Sequence, residues 1–162
     1  MSNIAPQRLR QSTSNVRRTF AIVASQYNPE YVQALVDAVR AELDRLSPKS
    51  IVTLTVVPGA FEIPVILQEV AAKGGVDVII ALGVIIEGET AHADLIGRAI
   101  TDSLQNIALR FRIPVIHEVL LVENEAQAKA RTMGEAHNRG TEAAQAAVQM
   151  AEVMSEVKVK AN

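Results

Sequence analysis

Four short runs, residues 19–24, 51–57, 78–85 and 114–122, constrain this chain more than any other feature, because they are almost continuously apolar and rich in Val and Ile. A strand that faces water on one side alternates; a strand apolar on both sides must be covered on both. That is the pattern of a parallel sheet held between two layers of helices. Each run is separated from the next by a stretch long enough for a right-handed crossover, which carries helices to both faces. The expected fold class is therefore α/β, a three-layer α/β/α sandwich on a four-stranded parallel sheet. With 162 residues the chain is one domain, over 19–162, preceded by a flexible arm over 1–18.

The intervening segments carry helical periodicity. Val32, Leu35, Val36, Val39, Leu43 and Leu46 recur at three- and four-residue spacing, with Asp37, Arg40, Asp44 and Arg45 off that face. A second helix is expected from near Phe61 to Gly74-Gly75, with Pro64 in its first turn, where a missing N–H costs little. A third spans about His92 to Arg112 and closes before Pro114. The tail from Glu125 to Val157 is helical twice over, broken at Gly134 to Gly140, where both glycines are expected to turn with positive φ. Ala143, Ala144, Ala146, Ala147 and Ala151 give the last helix a smooth surface, read as more than one small sheet needs and so as a face for neighbouring subunits.

Composition excludes several functions. Cysteine is absent, which removes disulfides, a thiolate nucleophile and sulfur-ligated zinc together. A net charge of −2 leaves no electrostatic footprint for nucleic acid or acidic membranes. The longest apolar run, 78–86, is far short of the roughly 18 residues that would suggest a membrane span. The first 18 residues carry Arg8, Arg10, Arg17 and Arg18 and no acid, which is transit-peptide composition; without a repeating apolar face they read instead as a polar arm. No secretory hydrophobic segment is present, so the expected location is cytoplasmic.

Ligands of open parallel sheets bind beyond the carboxyl ends of the strands. The segments there are Ser25-Gln26-Tyr27-Asn28, Pro58-Gly59-Ala60-Phe61-Glu62, the stretch from Ile85 to His92, and His117 through Arg131. Gly88, Glu89 and Thr90 lie where helix N-terminal amides favour an anion, or where Thr90 simply caps a helix. His92 falls in the first turn of that helix, where the dipole disfavours a charged ring and leaves an imidazole able to accept a proton; a capping histidine is the bland alternative. Tyr27 offers a stacking plate in a chain with only 3% aromatic residues, or else packs at the core edge. Glu62 suits hydroxyl groups or a helix N-terminus, and Arg131 suits a phosphate or solvent. No short metal-ligand spacing links His92, His117 and His137.

Taken together, Val57-Pro58-Gly59-Ala60-Phe61-Glu62-Ile63-Pro64, the run from Ala81 through Gly88-Glu89-Thr90-Ala91-His92, and Gln127 to Arg131 resemble the lumazine synthase family, from about Thr19 to the carboxyl end. The order and spacing of Gly-Ala-Phe-Glu, Gly-Glu-Thr-x-His and Gln-x-x-x-Arg are specific. The resemblance implies a flavodoxin-like topology, homopentamers, and in many members an icosahedral shell of twelve pentamers. It implies condensation of 5-amino-6-(D-ribitylamino)uracil with 3,4-dihydroxy-2-butanone 4-phosphate to 6,7-dimethyl-8-ribityllumazine, the penultimate step of riboflavin biosynthesis. Tyr27 takes the stacking position, Ala60 and Glu62 the ribityl-binding positions, and Ile85 and Ile86 main-chain contacts to the ring. Gly88, Glu89 and Thr90 match the phosphate loop, Arg131 the phosphate-binding arginine and His92 the proton-transfer histidine. His117 and Arg139 lie in segments that a neighbouring subunit contributes. No metal or organic cofactor is implied, and the partners are small-molecule substrates and further copies of the chain, not nucleic acid or membrane.

The sequence departs from the family pattern at Glu87, where a basic residue is common, at Ala93, where an aromatic is common, at His117 for Phe and at Arg139 for Lys. A homologue that binds flavin or lumazine, or forms shells, with weak turnover is the alternative from another class. A generic doubly wound signalling domain would have no need of His92 and Arg131.

Overall fold

Because each strand run is followed by an amphipathic helix, every chain reversal is a crossover, and the computed structural model shows the resulting order. It describes residues 16–88, 92–135 and 137–160. The elements are β1 (Thr19–Ser25), α1 (Pro29–Leu46), β2 (Ile51–Val57), a 3-10 turn at Ala60–Glu62, α2 (Ile63–Lys73), β3 (Val78–Ile86), α3 (His92–Phe111), β4 (Val115–Val122), α4 (Glu125–Thr132) and α5 (Arg139–Lys160). All strand pairs are parallel and the sheet order is β2-β1-β3-β4, the flavodoxin-like order.

Two apolar cores follow from the strands' two faces. On one, Phe20, Ile22, Ile80 and Leu82 meet Leu35, Val39 and Leu43 of α1 and Ala144 and Ala147 of α5. On the other, Val23, Ile79 and Ala81 meet Ile63 and Leu67 of α2 and Ile100 and Leu104 of α3. The central strands β1 and β3 are buried on both faces, as their unbroken apolar runs require. β2 is an edge strand with most of its residues exposed or half-exposed, including Ile51 and Val56.

The boundaries differ from expectation in small, physical ways. Residues 60–62 form a 3-10 turn, so the α2 helix proper begins at Ile63 with Pro64 still in its first turn. Gly74 and Gly75, with φ of 72° and 80°, end that helix as glycines can and other residues rarely do. Gly134 and Gly140 do not have positive φ, which corrects the expected turn. They are needed for close approach instead. A Cβ on Gly140 would lie 2.7 Å from Leu35 O and 2.8 Å from Ala38 Cβ, and one on Gly134 would collide with the carbonyl of Ala130.

A second correction concerns α5. Its Ala143, Ala144, Ala147 and Ala151 are buried within the chain, where α5 packs chiefly on α1, so this smooth face is not left over for neighbours. Of the amino-terminal arm, only residues 16–18 fall among those described. Arg18 donates to Ser155 Oγ at 2.6 Å, and Thr19 is engaged by Asp77 and paired with Ile51 of its own sheet. Among the described residues, no helix is long and apolar enough to cross a membrane.

Candidate active site

At the carboxyl end of the sheet, three strand exits bring side chains together. Asn28, at φ 55°, turns the chain from β1 into α1 and donates its amide to Val84 O at 2.8 Å, tying the β1 exit to β3. Gln26 N donates to Val57 O at 2.9 Å, which ties the same exit to β2. Between these anchors Tyr27 stands 72% exposed, a large aromatic presented to solvent and not packed at the core edge.

Both side chains approach Gly59: a Cβ there would sit 2.6 Å from Glu62 Oε2 and 3.6 Å from Tyr27 Cδ2, so the carboxylate and the edge of the ring lie near one backbone position. Ala60 is half-buried beside them and Glu62 is exposed. A flat ring with a hydroxylated chain finds here a plate for one part and an acceptor for the other.

The end of β3 completes this mouth. β1 pairs with β3 only as far as Ala24 opposite Leu82, while β4 stays paired through Val122 opposite Ile86. Val84 O points to the β1 side, toward Asn28, and Glu87 N donates to Val122 O at 2.8 Å. By alternation, Ile85 gives its backbone to the β4 ladder and Ile86 turns its N–H and C=O to the side β1 has left. Of the two expected main-chain contacts, Ile86 is the one the strand leaves open. Gly88 follows, exposed, and among the described residues beyond its chain neighbours nothing lies within 4 Å of where a Cβ would stand. Glu89 and Thr90 lie outside the described residues. His92 opens α3 and is exposed, and Ala93 beside it is buried.

The remaining candidates sit around β4, and the strand's period separates them. His117 and Glu118 are consecutive, so their side chains leave opposite faces of the sheet. His117 turns toward α3, where Thr101 Oγ1 lies 2.8 Å from its Nε2. Thr101 gives its own proton to Gly97 O, so its oxygen accepts from Nε2–H, while Nδ1 accepts from Val119 N–H at 3.2 Å. That is a neutral ring with its tautomer set, and burial lowers its proton affinity further.

Arg139, at the start of α5, does not stand free. Its Nε and Nη2 donate to the two oxygens of Glu118, each at 3.1 Å, and Nη1 donates to Glu142 at 2.7 Å. Glu118 is buried, and desolvation lifts its carboxyl to about 7 in spite of Arg139. This partner was missed by sequence reasoning, although a single acid in the apolar run from Val115 to Val122 was the available signal. Arg131 is exposed on α4. The helix is started by Asn124, whose side chain accepts from Gln127 N at 2.9 Å, while Gln127 Oε1 accepts from Glu123 N at 3.1 Å. Gln127 thus caps the helix that carries Arg131.

Within one chain, then, Tyr27, Gly59 and Glu62 are brought together, and Arg139 is joined to Glu118 and not to them. An open cavity of about 310 Å³, lined by Val65, Gln68, Ser103 and Arg110 among others, contains none of the candidates.

An open parallel sheet with an aromatic, a carboxylate and an unpaired strand backbone gathered at its carboxyl end defines an α/β protein built around a small-molecule site there. The family model described as 6,7-dimethyl-8-ribityllumazine synthase matches residues 17–155. The chain is 44% identical over 131 residues to the 6,7-dimethyl-8-ribityllumazine synthase of Paraburkholderia phymatum, covering 80% of this chain and 74% of that protein. It is 40% identical over 134 residues to the protein of the same name from Cytophaga hutchinsonii, covering 82% and 84% respectively. The chain belongs to the 6,7-dimethyl-8-ribityllumazine synthase family.

Proposed function

We propose that this chain is a transferase of riboflavin biosynthesis, condensing 5-amino-6-(D-ribitylamino)uracil with 3,4-dihydroxy-2-butanone 4-phosphate to give 6,7-dimethyl-8-ribityllumazine, phosphate and water. The observation that carries this reading, beside family membership, is the meeting of Tyr27 and Glu62 over Gly59 at the carboxyl end of the sheet. Tyr27 stacks on the pyrimidine, Ala60 and Glu62 hold the ribityl chain, and the open backbone of Ile86, with Ile85 beside it, meets the ring edge. Gly88, Glu89, Thr90 and Arg131 hold the phosphate. His92 moves protons as the amine adds to the ketone, water leaves to form the imine, phosphate is eliminated, and the ribitylamino nitrogen closes the second ring on the remaining carbonyl with loss of a second water.

Little covalent chemistry is demanded of the protein, because holding two substrates in register can supply about 7–11 kcal/mol of the barrier. His117 and Arg139 complete a neighbour's site, a reading supported by their distance in the fold from Tyr27 and Glu62: β4 is the far edge from β2. The working form is a homopentamer, assembled into a closed shell, in the cytoplasm. Mixing the two substrates and following absorbance tests the reaction. Appearance of the lumazine chromophore is the expected result; ligand-dependent fluorescence without product would mark a binding protein instead.

A further inference from the structure

A carboxylate inside an apolar strand is the least expected placement in the fold. Glu118 stands opposite Leu82 in the β3–β4 ladder, shares its face of β4 with Ile116, Leu120 and Val122, and its side chain is only 8% exposed. Replacing a buried ion pair by apolar residues is commonly neutral or stabilising, so stability is a weak reason for an acid here. What the acid does is hold Arg139. Its two oxygens accept from Nε and Nη2, each at 3.1 Å, and Glu142, one turn along α5, accepts from Nη1 at 2.7 Å. Asn138 pins the same helix start, accepting from Thr141 N and donating to Thr132 O. The guanidinium is thus located from strand and helix at once, while the Arg139 side chain stays 36% exposed.

A guanidinium carries five N–H donors in one fixed plane. Three are taken here, and the two that remain are one each on Nη1 and Nη2. Two carboxylates against one guanidinium leave no net positive charge among the three. A cation neutralised in this way is a poor receptor for a phosphate dianion, but its rigid fork still directs hydrogen bonds at a neutral oxygen. We propose that Glu118 is a positioning residue, which aims the two remaining N–H groups of Arg139 at a neutral carbonyl or hydroxyl oxygen of the pyrimidine substrate and leaves the phosphate to other groups. This rests on the reading that Arg139 completes a neighbour's site. A lysine in place of Arg139 could not make the fork, because an ammonium is a point charge on a flexible stem.

Steady-state kinetics on the assembled protein, following lumazine absorbance with each substrate varied in turn, test this. Glu118→Gln keeps the size and one oxygen but turns an amide N–H₂ against the guanidinium, so the fork opens. The Michaelis constant for the pyrimidine is expected to rise about tenfold or more, the weight of a charge-assisted hydrogen bond, with that for the butanone phosphate changing by less than about twofold. Arg139→Lys keeps the charge and loses the fork, and is expected to show the same split. Combined with Glu118→Gln it should add little, because both act through one contact. A rise in both constants, a rise confined to the phosphate substrate, or a loss confined to turnover overturns the proposal. So does wild-type behaviour of Arg139→Lys, which decides the matter alone should Glu118→Gln fail to assemble. Arg139→Ala separates the two levels. Unchanged constants there overturn the reading of Arg139 as a site residue, whereas a raised pyrimidine constant in Arg139→Ala beside a wild-type one in Glu118→Gln overturns only the positioning.

Discussion

On the proposed roles, His92 and Arg131 are expected to fail in different ways when removed. His92→Ala removes proton transfer but leaves stacking and phosphate contacts, so turnover is expected to fall about 10–10³-fold with smaller changes in substrate binding. Steady-state kinetics on the correctly assembled variant check this, and wild-type turnover would sink the role. Arg131→Ala removes a charge-assisted contact of about 1.5–3 kcal/mol and is expected to raise the Michaelis constant for the butanone phosphate while affecting the pyrimidine less. All of the loss appearing in the pyrimidine would reverse that assignment. The buried Glu118 and the half-buried His117 of β4 pull stability in opposite directions with pH. Glu118, lifted from 4.5 to about 7 by burial, binds its proton more tightly when folded. Its contribution is fully present below pH 4.5 and is lost as pH rises through about 7. His117, lowered from 6.5 by burial, contributes stability above that value that is lost as pH falls through its folded value. Glu118→Gln should therefore steepen the net rise of stability between pH 5 and pH 8, read as the urea midpoint at each pH; an unchanged difference would show that Glu118 does not titrate there.

At the scale of the elements, the helical hairpin α4–α5 depends on two residues that do several jobs at once. Asn138 accepts from Thr141 N at 3.1 Å at the start of α5 and donates to Thr132 O at 2.9 Å at the end of α4. Gly140 lets the first turn of α5 press against the backbone of Leu35. Gly140→Ala is expected to push α5 off α1 and cost about 1–3 kcal/mol, as overpacking does, with a matching fall in the urea midpoint. If the fault were only backbone freedom, Ala in a helix would stabilise instead. The same hairpin shows where sequence reasoning stops. The central strands β1 and β3 were legible because burial on both faces writes itself as an unbroken apolar run, whereas β2 carries a similar run with most of its residues exposed or half-exposed. In α1 the six periodic residues Val32, Leu35, Val36, Val39, Leu43 and Leu46 are the six that are buried. Gly134 and Gly140 were read as turn makers because a glycine's positive φ is a local property, whereas close approach to another helix is set by packing. Glu118 and Arg139 are 21 residues apart, and their fork depends on how α5 crosses β4, which no spacing encodes. Tyr27 and Glu62 were each legible as loop-mouth residues; that both approach Gly59 was not.

For the whole molecule, the question is what covers the apolar surface that one chain leaves open. The face of α5 does not raise it, since its alanines are used against α1. The exposed residues lie elsewhere: Phe61 at 62% in the 3-10 turn, Val65 at 59% at the start of α2, Leu95 at 66% and Leu109 at 67% on α3, and Ile51 and Val56 along the β2 edge. Large apolar side chains left this open on one helical layer are the mark of an association surface, and an uncovered edge strand is a template for another chain's backbone. The pairing expected of the amino-terminal arm with a neighbour's sheet, through Arg17 and Thr19, cannot use Thr19, which is held in its own sheet by Ile51 and Asp77, and Arg18 O already accepts from Ile51 N at 2.8 Å. The connection between α4 and α5 is short, residues 133–138, as closure of the proposed pentamers into a shell would need. Light scattering at low micromolar concentration is expected to give at least a pentamer, and the mass of twelve pentamers if the shell closes; a monomer would contradict a site shared between subunits. Val65→Glu, which puts a charge in the middle of the exposed α2 surface without touching either core, is expected to lower the assembly state while circular dichroism stays unchanged. Lumazine formation should then fall in parallel with assembly. Full turnover in a dispersed variant would mean that each chain holds its site alone.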